Sequence, residues 1–273
     1  MDFIEILKYI FLGLLQGITE PIPVSSSGHL VIARELLGIE AKGLSFEMLL
    51  NTASLIAILY IFWKDIFMIA KNFFRYIGGQ RDEEAIEDFK YVIYLIIATI
   101  PVGVIGFLFK DIVGENASIG FVGVMLLVTG IALWIIKNKQ GVKRDGELSV
   151  KDAIIVGLAQ CIAIIPGISR SGATIVASIG VGLRQKNALR FVFLLYIPVS
   201  LGTAILSAND LISDPDLGTL WFPYLLSFIA TLIMTYIGFK ILQGIMENGK
   251  LQYFSYYCFA LGTFSILYQI FWG

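Results

Sequence analysis

Glu20, His29 and Arg170 are ionisable groups set in apolar surroundings, and His29 is the only histidine of the 273-residue chain. The first tract runs Gln16-Gly-Ile-Thr-Glu20-Pro-Ile-Pro-Val-Ser25-Ser26-Ser27-Gly28-His29, and the second runs Pro166-Gly-Ile-Ser169-Arg170-Ser171-Gly172-Ala-Thr174. Gln16 and Glu20 are one helical turn apart, so both side chains leave the same face. A buried carboxylate must be protonated, paired or bound to a metal, which makes Glu20 a candidate ligand for a divalent ion. Arginine's planar fork suits phosphate oxygens, and Arg170 is the cation available to grip them; a structural ion pair between Glu20 and Arg170 is the alternative. Ser25-Ser26-Ser27-Gly28 and Ser169-Arg170-Ser171-Gly172 each precede a helical stretch. Free amides at a helix start bind anions, with glycine permitting close approach; ordinary serine capping is the alternative. His29, within three or four residues of the serines, is a candidate base, proton donor or nucleophile toward phosphorus.

The elements that hold these tracts belong to a membrane. Hydrophobic residues make up 57% of the chain and charged residues 15%, against roughly 25% charged in soluble domains. Uncharged runs at 91–109, 116–136, 191–208, 217–239 and 251–273 are long enough to cross a bilayer, which takes about 20 residues. A shorter run at 48–63, extended back to 43, makes six expected spans. Residues 9–19 are too short to span before Glu20 and the Pro-x-Pro tract interrupt them, and Pro166-Gly167 and Arg170 split 153–183. Irregular backbone at membrane depth occurs where it is buried or lines a cavity. Both regions therefore read as re-entrant hairpins, at 3–38 and 152–183, in a single all-α membrane domain covering 1–273.

The termini and loops divide by charge. Fifteen Lys and Arg residues flank one face, at 64–90, 137–151, 184–190, 240 and 250, against Lys8, Arg34, Lys42 and Lys110 on the other. The positive-inside rule then puts both termini and the 208–220 loop outside a plasma membrane. Trp63, Trp134, Trp221 and Trp272 are expected at span ends, as an interfacial belt. Asp2 and Glu5 stand where a cleavable signal peptide has its basic segment, so none is expected. Cys161 and Cys258 are isolated in apolar runs and read as small buried hydrophobes. A net charge of −1 gives no sign of nucleic-acid binding. Glycine-rich stretches at 102–106 and 120–130 suit close helix packing, and with it a homodimer.

Sliding the chain by 144 residues lays 13–28 over 157–172 and matches Gly13, Leu14, Gln16, Ile18, Ser25, Ser27 and Gly28 with identical residues. Three expected spans follow each hairpin, and an odd number inverts the second copy. Repeat one covers about 1–137 and repeat two about 150–273, an inverted-topology arrangement in which broken helices meet at a midplane site. The same architecture serves secondary transporters, so a lipid-phosphate flippase is the rival reading; transport needs anion affinity but no nucleophile. A structural scaffold leaves the costly polar residues of the two breaks without a purpose.

The tract Gln16-x-x-x-Glu20 with Pro23-Val-Ser-Ser-x-Gly-His29, joined to Pro166-Gly-x-Ser-Arg-Ser-Gly-Ala-Thr174, resembles the undecaprenyl-diphosphatase (bacitracin-resistance) family across the whole chain. The resemblance implies a hydrolase that removes the terminal phosphate of undecaprenyl diphosphate at the outer face of the membrane, using Mg²⁺ or Ca²⁺. That reaction recycles a lipid carrier for peptidoglycan and other wall polymers, and bears on bacitracin resistance. It further implies Glu20 at the family's second glutamate, Ser26 at its essential serine, His29 at its histidine and Arg170 at its arginine. The other hydroxyls fall on Ser25, Ser27, Ser169, Ser171 and Thr174. The expectation is Ser26 as nucleophile activated by His29, with His29 itself or water as alternatives. Gln16 departs from the glutamate common at the family's first position, and an amide is a poorer ligand for a hard cation.

Overall fold

Val24, Phe191 and Leu195 are buried at the centre of an all-helical bundle, seen in a computed structural model that describes residues 3–39, 45–108, 117–208, 212–213 and 217–273. The expectations that rest on Asp2, Lys42, Lys110 and residues 209–211 and 214–216 of the 208–220 loop fall outside the described residues. The helices are α1 (Phe3–Thr19), α2 (Ser26–Leu37), α3 (Ser45–Ile77), α4 (Glu83–Leu108), α5 (Ile119–Ile136), α6 (Val150–Ile162), α7 (Arg170–Gly180), α8 (Gln185–Leu206), α9 (Leu217–Glu247) and α10 (Gln252–Trp272). Six of them (α3, α4, α5, α8, α9 and α10) are long and apolar enough to cross a membrane. The described residues contain no strand, so the chain is of the all-α membrane class read from its composition.

The two interrupted regions form helix–turn–helix pairs, α1 with α2 and α6 with α7, each followed by three long helices. Proline accounts for the breaks. Pro21 and Pro23 lack amide donors and restrict the residues before them, and Val24 N–H turns back to Ile22 O at 2.8 Å. At the second break Gly167 takes φ 93°. A Cβ there would lie 2.7 Å from Met125 Cβ and 2.9 Å from Val122 O, so glycine alone lets this turn seat on α5.

Burial along α8 is almost continuous from Ala188 to Tyr196, as expected of a helix packed on all sides; α3, α4, α7 and α9 surround it. The halves interlock: α1 packs along α9, α6 along α4, and α5 along α10. Matched glycines permit the first two contacts. A Cβ on Gly13 would stand 2.4 Å from Ser227 O of α9, and one on Gly157 2.7 Å from Ala98 O of α4. Thr231 Oγ1 adds a hydrogen bond to Gly13 O at 2.9 Å.

The structure refines three sequence expectations. The helix carrying Trp63 does not end there: α3 runs on to Ile77, a charged extension of roughly 20 Å at 1.5 Å per residue, because Lys64, Lys71 and Arg75 suit water while helix propensity persists. The glycines of 120–130 are used within the chain, where Gly120, Gly123 and Gly130 receive Gln269, Gly262 and Phe259 of α10, while Gly103 and Gly106 have open space beside them. Cys258 is fully buried, but Cys161 is only half-buried, its thiol donating to Gly157 O at 3.3 Å.

Candidate functional site

The turns of the two helix pairs meet. Beside Gly28 lie Gly167 Cα, 3.3 Å from where a Cβ would stand, and Val122 of α5; beside Gly172 lies Pro23. Ser171 Oγ reaches across to Glu20 O at 3.4 Å and Ile22 O at 3.3 Å. Thr129 of α5 fixes the second turn, donating to Gly167 O and accepting from Ser169 N–H, both at 3.3 Å.

Each helix after a turn begins in the same way. Ser25 Oγ accepts from Gly28 N–H at 3.3 Å, and Ser169 Oγ from Gly172 N–H at 3.0 Å. Ser25 pairs with Ser27 at 3.3 Å and Ser169 with Ser171 at 3.1 Å. Serine capping, and not an open anion cradle, therefore occupies the Gly28 and Gly172 amides. Thr174 turns back to Arg170 O at 2.8 Å and is buried within α7. The two starts differ in one respect: Ser25 sits at φ 67°, a left-handed conformation that costs of order 1 kcal/mol or more for a non-glycine residue.

Glu20 lies at the junction. Its Oε1 pairs with Arg170 Nη2 at 2.9 Å. Its Oε2 accepts from Gln16 Nε2 at 2.9 Å and takes a short hydrogen bond from Ser26 Oγ. Thus the carboxylate, the amide one turn before it, the serine and the arginine form one connected group, with the Glu20–Arg170 ion pair made. The side chain of Glu20 is only 8% exposed and that of Arg170 27%, so the guanidinium has the freer surface.

Three residues that sequence reasoning missed hold Arg170. Asn51 Oδ1 accepts from Nη2 and Ser200 Oγ from Nη1, each at 3.4 Å. The Tyr196 ring lies 4.8 Å from the guanidinium carbon, and its hydroxyl donates to Asn51 Oδ1 at 2.9 Å. Asn51 and Ser200 are polar groups inside apolar runs, which is the signal that marks them.

His29 is not joined to Ser26. One ring nitrogen, Nδ1, meets Ser25 O at 2.7 Å, and the other, Nε2, meets Tyr257 OH of α10 at 2.7 Å. The two rings lie parallel with centroids 5.5 Å apart. A carbonyl can only accept, so Nδ1 carries a proton, and in the neutral ring Nε2 accepts from the tyrosine. In this arrangement the group in contact with the Ser26 hydroxyl is Glu20, and His29 braces the backbone of the left-handed Ser25.

A cavity of about 600 Å³ opens over this group. Glu20, Ser25, Ser26 and Ser27 form its wall from one pair, and Gln160, Ser169, Arg170 and Ser171 its wall from the other, with Val102, Ile164 and Val199 as apolar lining. It runs to Arg34, Glu47, Phe107 and Ser207, where Arg34 and Glu47 pair at 2.6 Å. These residues sit at the helix ends remote from the basic segments, which gather at the other end through Lys143–Asp152, Arg190–Asp65 and Arg190–Asp145.

A divalent cation fits here only with help from a ligand. The described residues contain no group of three or more His, Cys, Asp and Glu able to hold a metal. Among the described residues Glu20 is the carboxylate bonded to Ser26, while Glu47 lies at the cavity's far end paired with Arg34; next to Glu20, Gln16 Oε1 is buried without a hydrogen-bond partner among the described residues. One carboxylate with an amide oxygen suits an ion completed by phosphate oxygens, the manner in which Mg²⁺ is commonly bound.

Known proteins resemble the chain along nearly its whole length. Residues 9–264 match the family model described as Bacitracin resistance protein BacA. The chain is 56% identical over 268 residues to Undecaprenyl-diphosphatase 2 of Bacillus thuringiensis (strain Al Hakam), covering 98% of this chain and 99% of that protein. It is 52% identical over 271 residues to Undecaprenyl-diphosphatase of Oceanobacillus iheyensis, covering 98% of each. Undecaprenyl-diphosphatase 1 of Halalkalibacterium halodurans is 49% identical over 258 residues, 94% of each chain.

Proposed function

The chain belongs to the bacitracin-resistance protein family, and from that premise we propose that it hydrolyses the terminal phosphate of undecaprenyl diphosphate at the outer face of the plasma membrane. The diphosphate enters the cavity between the two turns while its isoprenoid tail stays among the apolar helices. The lipid phosphate formed returns to carrying wall precursors. The charge distribution supports the outer face, since the cavity leads away from the basic end.

The observation that carries hydrolysis is the hydrogen bond from Ser26 Oγ to Glu20 beside Arg170; a binding or transport site needs no such nucleophile–base pair. Ser26 Oγ attacks the terminal phosphorus, its proton passes to Glu20, and the bond to the bridging oxygen breaks, releasing undecaprenyl phosphate. Water then attacks the phosphoserine, Ser26 Oγ regains the proton from Glu20, and phosphate leaves. Arg170 shifts from Glu20 to the phosphoryl oxygens, with Tyr196, Asn51 and Ser200 limiting where its fork can go. Such transfer is driven by positioning and charge neutralisation. Glu20, together with the diphosphate's own oxygens, would hold Mg²⁺ or Ca²⁺, which would supply further charge neutralisation.

The test is phosphate release from undecaprenyl diphosphate by purified protein. The expected result is turnover that a chelator abolishes and either cation restores. Turnover unaffected by chelation removes the metal from the account, and an inactive protein that moves the lipid across vesicles favours the flippase.

A further inference from the structure

We infer that Gln160 is a substrate-binding residue whose side-chain Nε2 donates a hydrogen bond to a phosphate oxygen of the diphosphate; this rests on the function proposed above. Matched positions of the two helix pairs differ in what they offer a glutamine side-chain amide. Gln16 and Gln160 correspond under the 144-residue shift. One turn on, Gln16 finds Glu20 and donates to it at 2.9 Å. The position matching Glu20 is Ile164, which offers no acceptor. Gln160 is only 1% exposed, and its Nε2 has no hydrogen-bond partner among the described residues. Both Gln160 and Ile164 line the cavity beside Ser169 and Arg170.

A buried amide donor without an acceptor is unfavourable, and the ligand that best completes it is one that only accepts. Phosphate oxygens meet that requirement. A second matched pair points the same way, since Ser26 corresponds to Arg170. At these two positions, 20/164 and 26/170, the first helix pair supplies an acid and a hydroxyl, and the second supplies an apolar residue and a guanidinium. The first half carries the groups that attack, and the second carries donors that hold an anion. Gln160 belongs to the second set.

The experiment compares purified wild type, Gln160→Leu and Gln160→Glu with undecaprenyl diphosphate as substrate, and measures thermal unfolding of each without it. A neutral donor to a charged acceptor corresponds to a fall of about 10- to 100-fold in kcat/KM for Gln160→Leu. Its unfolding temperature should match or exceed that of wild type, because no described protein group loses a bond. Gln160→Glu, which faces the anion with acceptors only, should fall further. If Gln160→Leu keeps kcat/KM within about twofold of wild type, the amide does not touch the substrate and the inference fails. It fails equally if activity is lost together with stability, which assigns Gln160 a structural role. Should the leucine variant not fold, Gln160→Met, which also lacks the donor, is read by the same two criteria. A wild type that releases no phosphate is a separate outcome and overturns the function itself.

Discussion

Glu20 is shared by three neighbours, and its several contacts explain why its replacement should be severe. Glu20→Gln removes the charge that Arg170 pairs with, the acceptor for the Ser26 proton and the carboxylate proposed to hold a cation. Loss of a general base typically costs about 10²- to 10⁴-fold, so kcat should fall at least that far at saturating Mg²⁺. Near-normal turnover would remove Glu20 from the chemistry. Gln16→Glu should be tolerated with a steeper dependence on metal, checked by titrating Mg²⁺ into both proteins; complete inactivation would mean that the amide proton on Glu20 is indispensable. Arg170→Lys keeps a charge but loses the planar fork held by Asn51, Ser200 and the Tyr196 ring. It should restore little of the activity lost in Arg170→Ala, which a side-by-side kcat/KM comparison checks. The chemistry-bearing types at this scale were legible in the chain, because ionisable groups are conspicuous in apolar tracts. Their partners were not. His29 meets Tyr257 across 228 positions, and no local spacing encodes that contact or the choice of Glu20 over His29 as the neighbour of Ser26.

At the scale of elements, the breaks were readable because proline and glycine have local consequences, whereas helix ends beyond the apolar runs were not. The hydropathy of 48–63 stops at Trp63, yet α3 continues to Ile77, since charge ends a membrane span without ending a helix. The glycine stretches illustrate a second limit: close-packing potential does not name the partner, and for Gly120, Gly123 and Gly130 the partner is α10 of the same chain. Gly13 and Gly157 make a sharper case. A methyl at either position would collide with backbone of the facing helix. Gly13→Ala and Gly157→Ala should therefore each destabilise by about 1–3 kcal/mol. Gly244→Ala in α9, with nothing within 4 Å, should be neutral or stabilising by up to about 1 kcal/mol. Thermal unfolding in detergent separates the three, and equal behaviour would deny that the matched glycines set the helix contacts.

The whole molecule joins two halves of like construction, each a helix–turn–helix pair and three long helices, with α1 and α6 exchanged onto the opposite half. We interpret this as an inverted-topology repeat, for which the sequence match at 144 residues and the equivalent roles of Gly13 and Gly157 are the support. The orientation proposed from the Lys and Arg distribution has 137–151 in the cytoplasm and the end of α8 outside. In a background lacking Cys161 and Cys258, a cysteine at Ser213 should react with a membrane-impermeant thiol reagent on intact cells, and one at Asn138 should not. The reverse pattern would move the cavity mouth to the cytoplasm. Narrower than topology is the proposal that Ser26, set where the two turns meet, is the nucleophile. Its direct measurement is phosphate release and lipid-diphosphate binding by Ser26→Ala beside wild type. The account predicts release reduced to background while binding stays within about tenfold, since one hydroxyl contributes roughly 1 kcal/mol to affinity. Release at the wild-type rate would contradict it and pass the attack to water.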